Sequence, residues 1–147
     1  MKRSIIVAAA ALSTAGAFAA ERIGQKEGID KECDSSRPRA VAEVLREDAL
    51  PRWPGGRVVM VRVVFPPGSC AMAHSHGGSV WGYVVSGTIR SQIGGEPVQT
   101  LAPGQSFFEP PGVVHSLAEN ASDTAPAEIL AFHALGQDEK VTVFGRH

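Results

Sequence analysis

The chain lacks most of the features that would place it at once. Its 14 basic and 15 acidic residues nearly cancel, leaving a formal net charge of -1. That balance encodes no basic surface for nucleic acid. Beyond the first twenty residues no apolar run reaches the length of a membrane span. There is no internal repeat, no glycine-rich phosphate loop opening a helix, and no Gly-x-Ser-x-Gly turn to expose a serine nucleophile. Cysteine is scarce, at two residues, so a disulfide-dense scaffold is excluded and one bridge is the most the chain can form.

What is present fits one domain. A chain of 147 residues, 44% hydrophobic and 20% charged, can build one core. Lys2 and Arg3 precede the short apolar run Ile5 to Leu12, and Ala17-Phe18-Ala19 supplies small residues for cleavage. This is the pattern of a secretory signal peptide, cut at Ala19-Ala20. It predicts a leader over 1–19, a polar N-terminal arm over 20–38 and one domain over 39–147, in the periplasm or secreted, with no stable membrane anchor. Export permits a Cys33–Cys70 disulfide. The sequence does not say whether the two Cα atoms come close enough, and an unbridged Cys70, four residues from His74, reads as a packed thiol sooner than as a soft ligand near the metal.

From Arg57 onward short apolar runs alternate with glycine and proline, which is the pattern of an all-β sandwich or barrel. Arg57 to Phe65 is valine-rich and closes on Pro66-Pro67-Gly68. Further strands are expected over Val80 to Val85, Thr88 to Ile93, Val98 to Leu101, Ser106 to Glu109, Val113 to Leu117, Glu128 to Leu135 and Val141 to Phe144. Arg39 to Leu50 fits either a helix or a strand, and its setting among strands favours the strand.

The stretch Gly68 to Gly87 carries the chemistry. His74 and His76 are two residues apart, and on an extended chain such residues share a face. Two imidazoles on one face can hold one metal ion. His115 lies on a later strand and can supply a third. If the histidines face inward, Val80, Gly82 and Val84 do too, with Trp81 and Tyr83 outside and a roomy pocket at Gly82. Arg90 and Gln92 share a face. If that face is inward, Gln92 gives the pocket a hydrogen bond and Arg90 can pair with Glu109 or an anionic substrate; if it is outward, both are solvated strand residues. His133 has no partner in the pattern and reads as a packed or rim residue. His147 is terminal.

Two segments in order resemble the cupin superfamily. The first is Gly68, five residues, His74-Ser75-His76, then Val80 and Gly87; the second is Gly104, five residues, Pro110-Pro111-Gly112, then His115. The resemblance implies a small jelly-roll β-barrel, or double-stranded β-helix, with its metal ligands facing inward. Two departures stand out. Val80 occupies the place of the glutamate ligand of the first motif. Glu119 stands where the second motif closes on asparagine, and Asn120 follows.

Some cupins use three histidines alone. Phe107-Phe108-Glu109-Pro110-Pro111-Gly112 is similar to the corresponding stretch of non-haem iron cupins that cleave carbon–carbon bonds with dioxygen, such as acetylacetone-cleaving and dihydroxyacetophenone dioxygenases. By that resemblance His74, His76 and His115 hold a divalent metal, with Fe(II) first and Zn, Mn, Ni or Cu as alternatives. Glu109 and Gln92 are expected in outer-shell or substrate-positioning roles, with a fourth metal ligand or a solvated carboxylate at the barrel rim as the alternatives for Glu109, and no catalytic residue is expected beyond the metal site. Three neutral imidazoles would leave the 2+ charge uncompensated and favour an anionic chelating ligand. The expected function is a dioxygenase acting on a small enolisable dicarbonyl or hydroxyaryl ketone. A non-enzymatic periplasmic protein that binds a metal or a small anion, and a zinc hydrolase, are the alternatives. Small cupin barrels commonly pair, so the resemblance also implies a homodimer.

Overall fold

The computed structural model describes residues 33–145, which lie within one compact unit, Lys31–His147. The leader, most of the arm and His147 fall outside the described residues. Among the described residues, eleven strands form two antiparallel sheets. They are β1 (Val41–Ala49), β2 (Arg57–Phe65), β3 (Cys70–Ala71), β4 (His74–Ser75), β5 (Ser79–Ser86), β6 (Ile89–Ile93), β7 (Gln99–Leu101), β8 (Ser106–Glu109), β9 (His115–Asn120), β10 (Ala127–Leu135) and β11 (Val143–Phe144). One sheet runs β1-β2-β10-β5-β8; the other runs β11-β4-β9-β6-β7, with β3 also paired to β9. The protein is an all-β jelly roll, and the ambiguous segment before Leu50 is a strand.

Alternation explains which faces meet. On β5, Val80, Gly82 and Val84 are buried while Trp81 and Tyr83 are exposed, as period-two patterning requires. The core consists of two apolar clusters. Phe65, Val84, Ile89, Leu101, Phe107 and Ile129 belong to one, and Val59, Val61, Val80, Ala131 and Leu135 form the other. The motif glycines end strands where the chain must turn through positive φ: Gly68, Gly87, Gly104 and Gly112 have φ of 67°, 70°, 88° and 71°. At Gly87 a Cβ would also lie 2.5 Å from the Ala127 Cβ.

β9 begins at His115 rather than at Val113. Pro110, Pro111 and Gly112 extend the turn, and Val113 N bonds back to the Pro110 carbonyl. The segment before β1 is tied down. Cys33 and Cys70 form a disulfide with Cα atoms 5.7 Å apart, Ala40 N bonds to the Cys70 carbonyl, and Arg37 Nη1 donates to Glu119 Oε2 at 2.7 Å. Asn120 is buried and structural. Its Nδ2 donates to the carbonyls of Phe65, Pro66 and Ala125, and its Oδ1 accepts from Ser122 N. It thereby pins two loops that have no strand partners.

Candidate metal centre

Residues of both core clusters line a cavity of about 230 Å³, with apolar walls that include Val61, Val80, Phe107 and Ile129. Five titratable side chains also line it: His74, His76, Glu109, His115 and His133. The sequence separates them widely, and strand register gathers them. On one sheet His74 on β4 stands directly opposite His115 on β9. On the other, Val80 is flanked across the strands by Glu109 on β8 and by His133 on β10. Val80 thus sits where the cupin pattern has a carboxylate, and the next strand supplies one at the level of Val80.

The imidazoles are set up to present lone pairs. His74 Nδ1 donates to the Met72 carbonyl at 2.7 Å, and His76 Nδ1 donates to the Val141 carbonyl. A carbonyl only accepts, so each ring carries its proton on Nδ1 and leaves Nε2 as a ligand atom. The two rings meet edge to face with centroids 4.9 Å apart. Ligand atoms of His74, His76 and Glu109 lie within 4.8 Å of one another.

Glu109 lies inside the cluster and not in water at the barrel rim. It is 3% exposed, and its Oε2 has no hydrogen-bond partner. That oxygen lies 3.5 Å from His76 Nε2 and 3.2 Å from His115 Nδ1, without hydrogen-bond geometry to either. A buried, unsatisfied carboxylate oxygen is costly, by several kcal/mol in order of magnitude, unless a cation meets it. Carboxylate oxygen and imidazole nitrogen converging on one point suit a divalent ion. His115 stands beside this group with its Nε2 2.8 Å from Ser91 Oγ, which fixes the ring.

Burial and neighbours set the charge states. Burial, with the nearby His115 and His76, holds the His74 pKa below its ordinary value. Burial alone would push Glu109 up, but the approach of His115 and the other imidazoles outweighs it, and the carboxyl lies below its usual range. His133 is pushed down to about 4, chiefly by burial and then by His76. At neutral pH the cluster is therefore one carboxylate among imidazoles, with His74 and His133 neutral.

Three expectations are corrected. Gln92 does not face the cavity. Ile89 and Ser91 take the inner face of β6, so Gln92 points out and bonds to the Glu96 carbonyl and to Ser116. Arg90 shares that outer face and pairs with Glu119, not Glu109. Gly82 leaves no open space, because its cross-strand partner Phe107 leans over it and a Cβ there would lie 2.1 Å from Phe107 Cζ. Two residues of the site were missed, Ser91 and His133. Ser91 was legible, since it shares a face with Ile89 and Ile93; His133 had a signal only in its alternation with Ala131 and Leu135.

Comparisons with known proteins bear on this arrangement. The chain is similar over 68% of its length to a cupin domain from Bordetella pertussis Tohama I, of which it covers 97%, at 26% identity and a TM-score of 0.53. It is also similar to recombinant oxalate oxidase in complex with glycolate, with 25% identity, 78% of this chain and 59% of that one covered, and a TM-score of 0.56. For a DMSP lyase from Ruegeria pomeroyi DSS-3 the values are 23%, 58%, 42% and 0.51, a likeness of fold alone. No curated protein matches the chain in sequence. The family model for the cupin domain matches residues 61–133. That span opens inside β2, ends on His133 and so contains all five side chains of the cluster, and with the jelly-roll fold around them the chain belongs to the cupin superfamily.

Proposed function

We propose that this cupin is an exported mononuclear metal enzyme, a non-haem iron dioxygenase of a small enolisable ketone. The observation that carries the reading is the unsatisfied Oε2 of Glu109, buried in an apolar cavity beside the free Nε2 atoms of His74 and His76. His74, His76 and Glu109 would hold the ion, with His115 adjacent and oriented by Ser91. Bound there, Fe(II) would supply Lewis acidity and a relay for the electrons that pass from the enolate to dioxygen.

The charge count selects the substrate. A divalent ion and the Glu109 carboxylate leave one positive charge, which a singly charged enolate neutralises, and an apolar cavity favours that outcome. Among the described residues the lining contains no Lys or Arg. A dianion such as oxalate, which the name of one structural neighbour indicates for that protein, would have no counter-charge beyond the metal. Neutral β-dicarbonyls and hydroxyaryl ketones fit better. Val61, Val80, Phe107 and Ile129 exclude water and press an apolar substrate toward the ligand atoms. Carbon–carbon cleavage that delivers both atoms of dioxygen to the two fragments balances without an external reductant.

Elemental analysis of the purified chain, followed by oxygen-uptake assays on a panel of β-dicarbonyls and hydroxyaryl ketones, tests the proposal. Stoichiometric iron and substrate-dependent uptake are expected. Metal without turnover on any member would leave a non-enzymatic binding protein, and zinc with ester or amide hydrolysis would leave a hydrolase. Failure to take up Fe, Mn, Ni or Zn after reconstitution refutes the site itself.

A further inference from the structure

His133 is the member of the cluster to which this chemistry gives no task. It is 3% exposed, stands in register between Val59 and Val80, and has an Nδ1 without a hydrogen-bond partner. Its ring lines the cavity and meets that of His76 edge to face, with centroids 4.8 Å apart. An aliphatic side chain would suit the two flanking valines and leave nothing polar bare. A polar group built into an apolar wall and left without a partner matches how ligand cavities fix orientation. The free chain contains the donor–acceptor ring, and the partner is to come with the ligand.

We propose that His133 anchors the bound ligand through a hydrogen bond to a hydroxyl group beyond the oxygen pair taken by the metal. The inference rests on the metal-site reading for that oxygen pair only. It narrows the substrate class. In an aliphatic β-dicarbonyl both oxygens are used in chelation and none is left for His133. A hydroxyaryl ketone carrying a further phenolic hydroxyl has one, and its ring suits walls made of Val80, Phe107 and Ile129. His133 is then a specificity-determining residue that rejects ligands lacking the hydroxyl.

Calorimetry with phenol and toluene as probes, on the metal-free and the zinc-loaded chain, tests this. The wild type should bind phenol about tenfold tighter than toluene, the effect of one net hydrogen bond. In His133→Leu the preference should shrink to within about twofold, with toluene binding and metal content kept, and His133→Gln should restore part of it. In the wild type, the His133 ring nitrogen resonances should shift with phenol and not with toluene, a readout that needs no variant to fold. Equal binding of the two probes by the wild type, an undiminished preference in His133→Leu, or metal loss in that variant overturns the assignment. A chain that takes up no metal yet loses its phenol preference in His133→Leu removes the proposed function and keeps the anchor. Normal metal uptake with no effect of His133→Leu does the reverse.

Discussion

Val80 and Glu109 offer a direct test of how the site is built. Val80 is 1% exposed, Glu109 is 3% exposed, and they face each other across β5 and β8. Residues directly opposite on antiparallel strands have Cβ atoms about 5 Å apart. Two carboxylates at that separation repel by about 3 kcal/mol at an effective dielectric of about 20. Val80→Glu alone should therefore destabilise the metal-free chain by about 3 kcal/mol beyond the lost valine burial, and the pair should retain a proton to higher pH. Glu109→Val alone should keep the fold and lose metal affinity. The double variant, Val80→Glu with Glu109→Val, moves the carboxylate one strand over, to the place the cupin pattern gives it. Repulsion then disappears and metal uptake should return. Urea denaturation of chelator-treated protein gives the stability coupling, expected near 3 kcal/mol, and a metal titration gives the affinity. If the two substitutions add within about 0.5 kcal/mol, or if the double variant binds metal no better than Glu109→Val, the positions do not serve one point in space and the reasoning fails.

Three further outcomes follow from other contacts. Replacing Cys33 and Cys70 by serine opens a loop of 37 residues and should cost about 4 kcal/mol in denaturant titrations; a loss below about 1 kcal/mol would mean that the 33–40 segment is held by its hydrogen bonds alone. The pKa of His133 is about 4 in the fold and about 6.5 when unfolded, so the unfolded chain takes the proton first. Metal-free protein should accordingly lose about 3 kcal/mol as the pH falls from about 6.5 to about 4, and His133→Leu should flatten that slope; an unchanged slope would show that the ring is not buried neutral. Asn120→Leu strips the buried carbonyls of Phe65 and Pro66 of a donor and should lower stability by about 2–3 kcal/mol, and a loss under about 0.5 kcal/mol would assign those carbonyls to water.

Local periodicity carried more of the structure in the sequence than did cross-strand pairing. The inward face of β5 was readable because side-chain alternation needs only neighbours, and the motif spacing put His74 and His115 on strands that meet, with His76 just past the end of β4. The position of Glu109 opposite Val80 was not readable. It depends on β8 pairing with β5, and no local pattern encodes which strands become neighbours. His133 was hidden for the same reason, since β10 reaches the site only because it lies between β2 and β5. Gln92 was misassigned by one residue. Starting the alternation at Ile89, a residue 1% exposed, would have put Ser91 inward. The disulfide needed a Cα separation that composition cannot supply.

The division of the cluster between the sheets has a mechanical consequence. His74 and His115 belong to one sheet, Glu109 and His133 to the other. An ion shared by His74 and Glu109 would act as a strut across the seam, where His115 and Glu109 already approach to 3.2 Å without a hydrogen bond. Its loss would let the seam breathe, so occupancy would be readable far from the ligands as faster amide exchange along β4 and β8, while the hydrogen-bonded interior of each sheet kept its protection. A metal ion held this way would set the lifetime of the closed barrel.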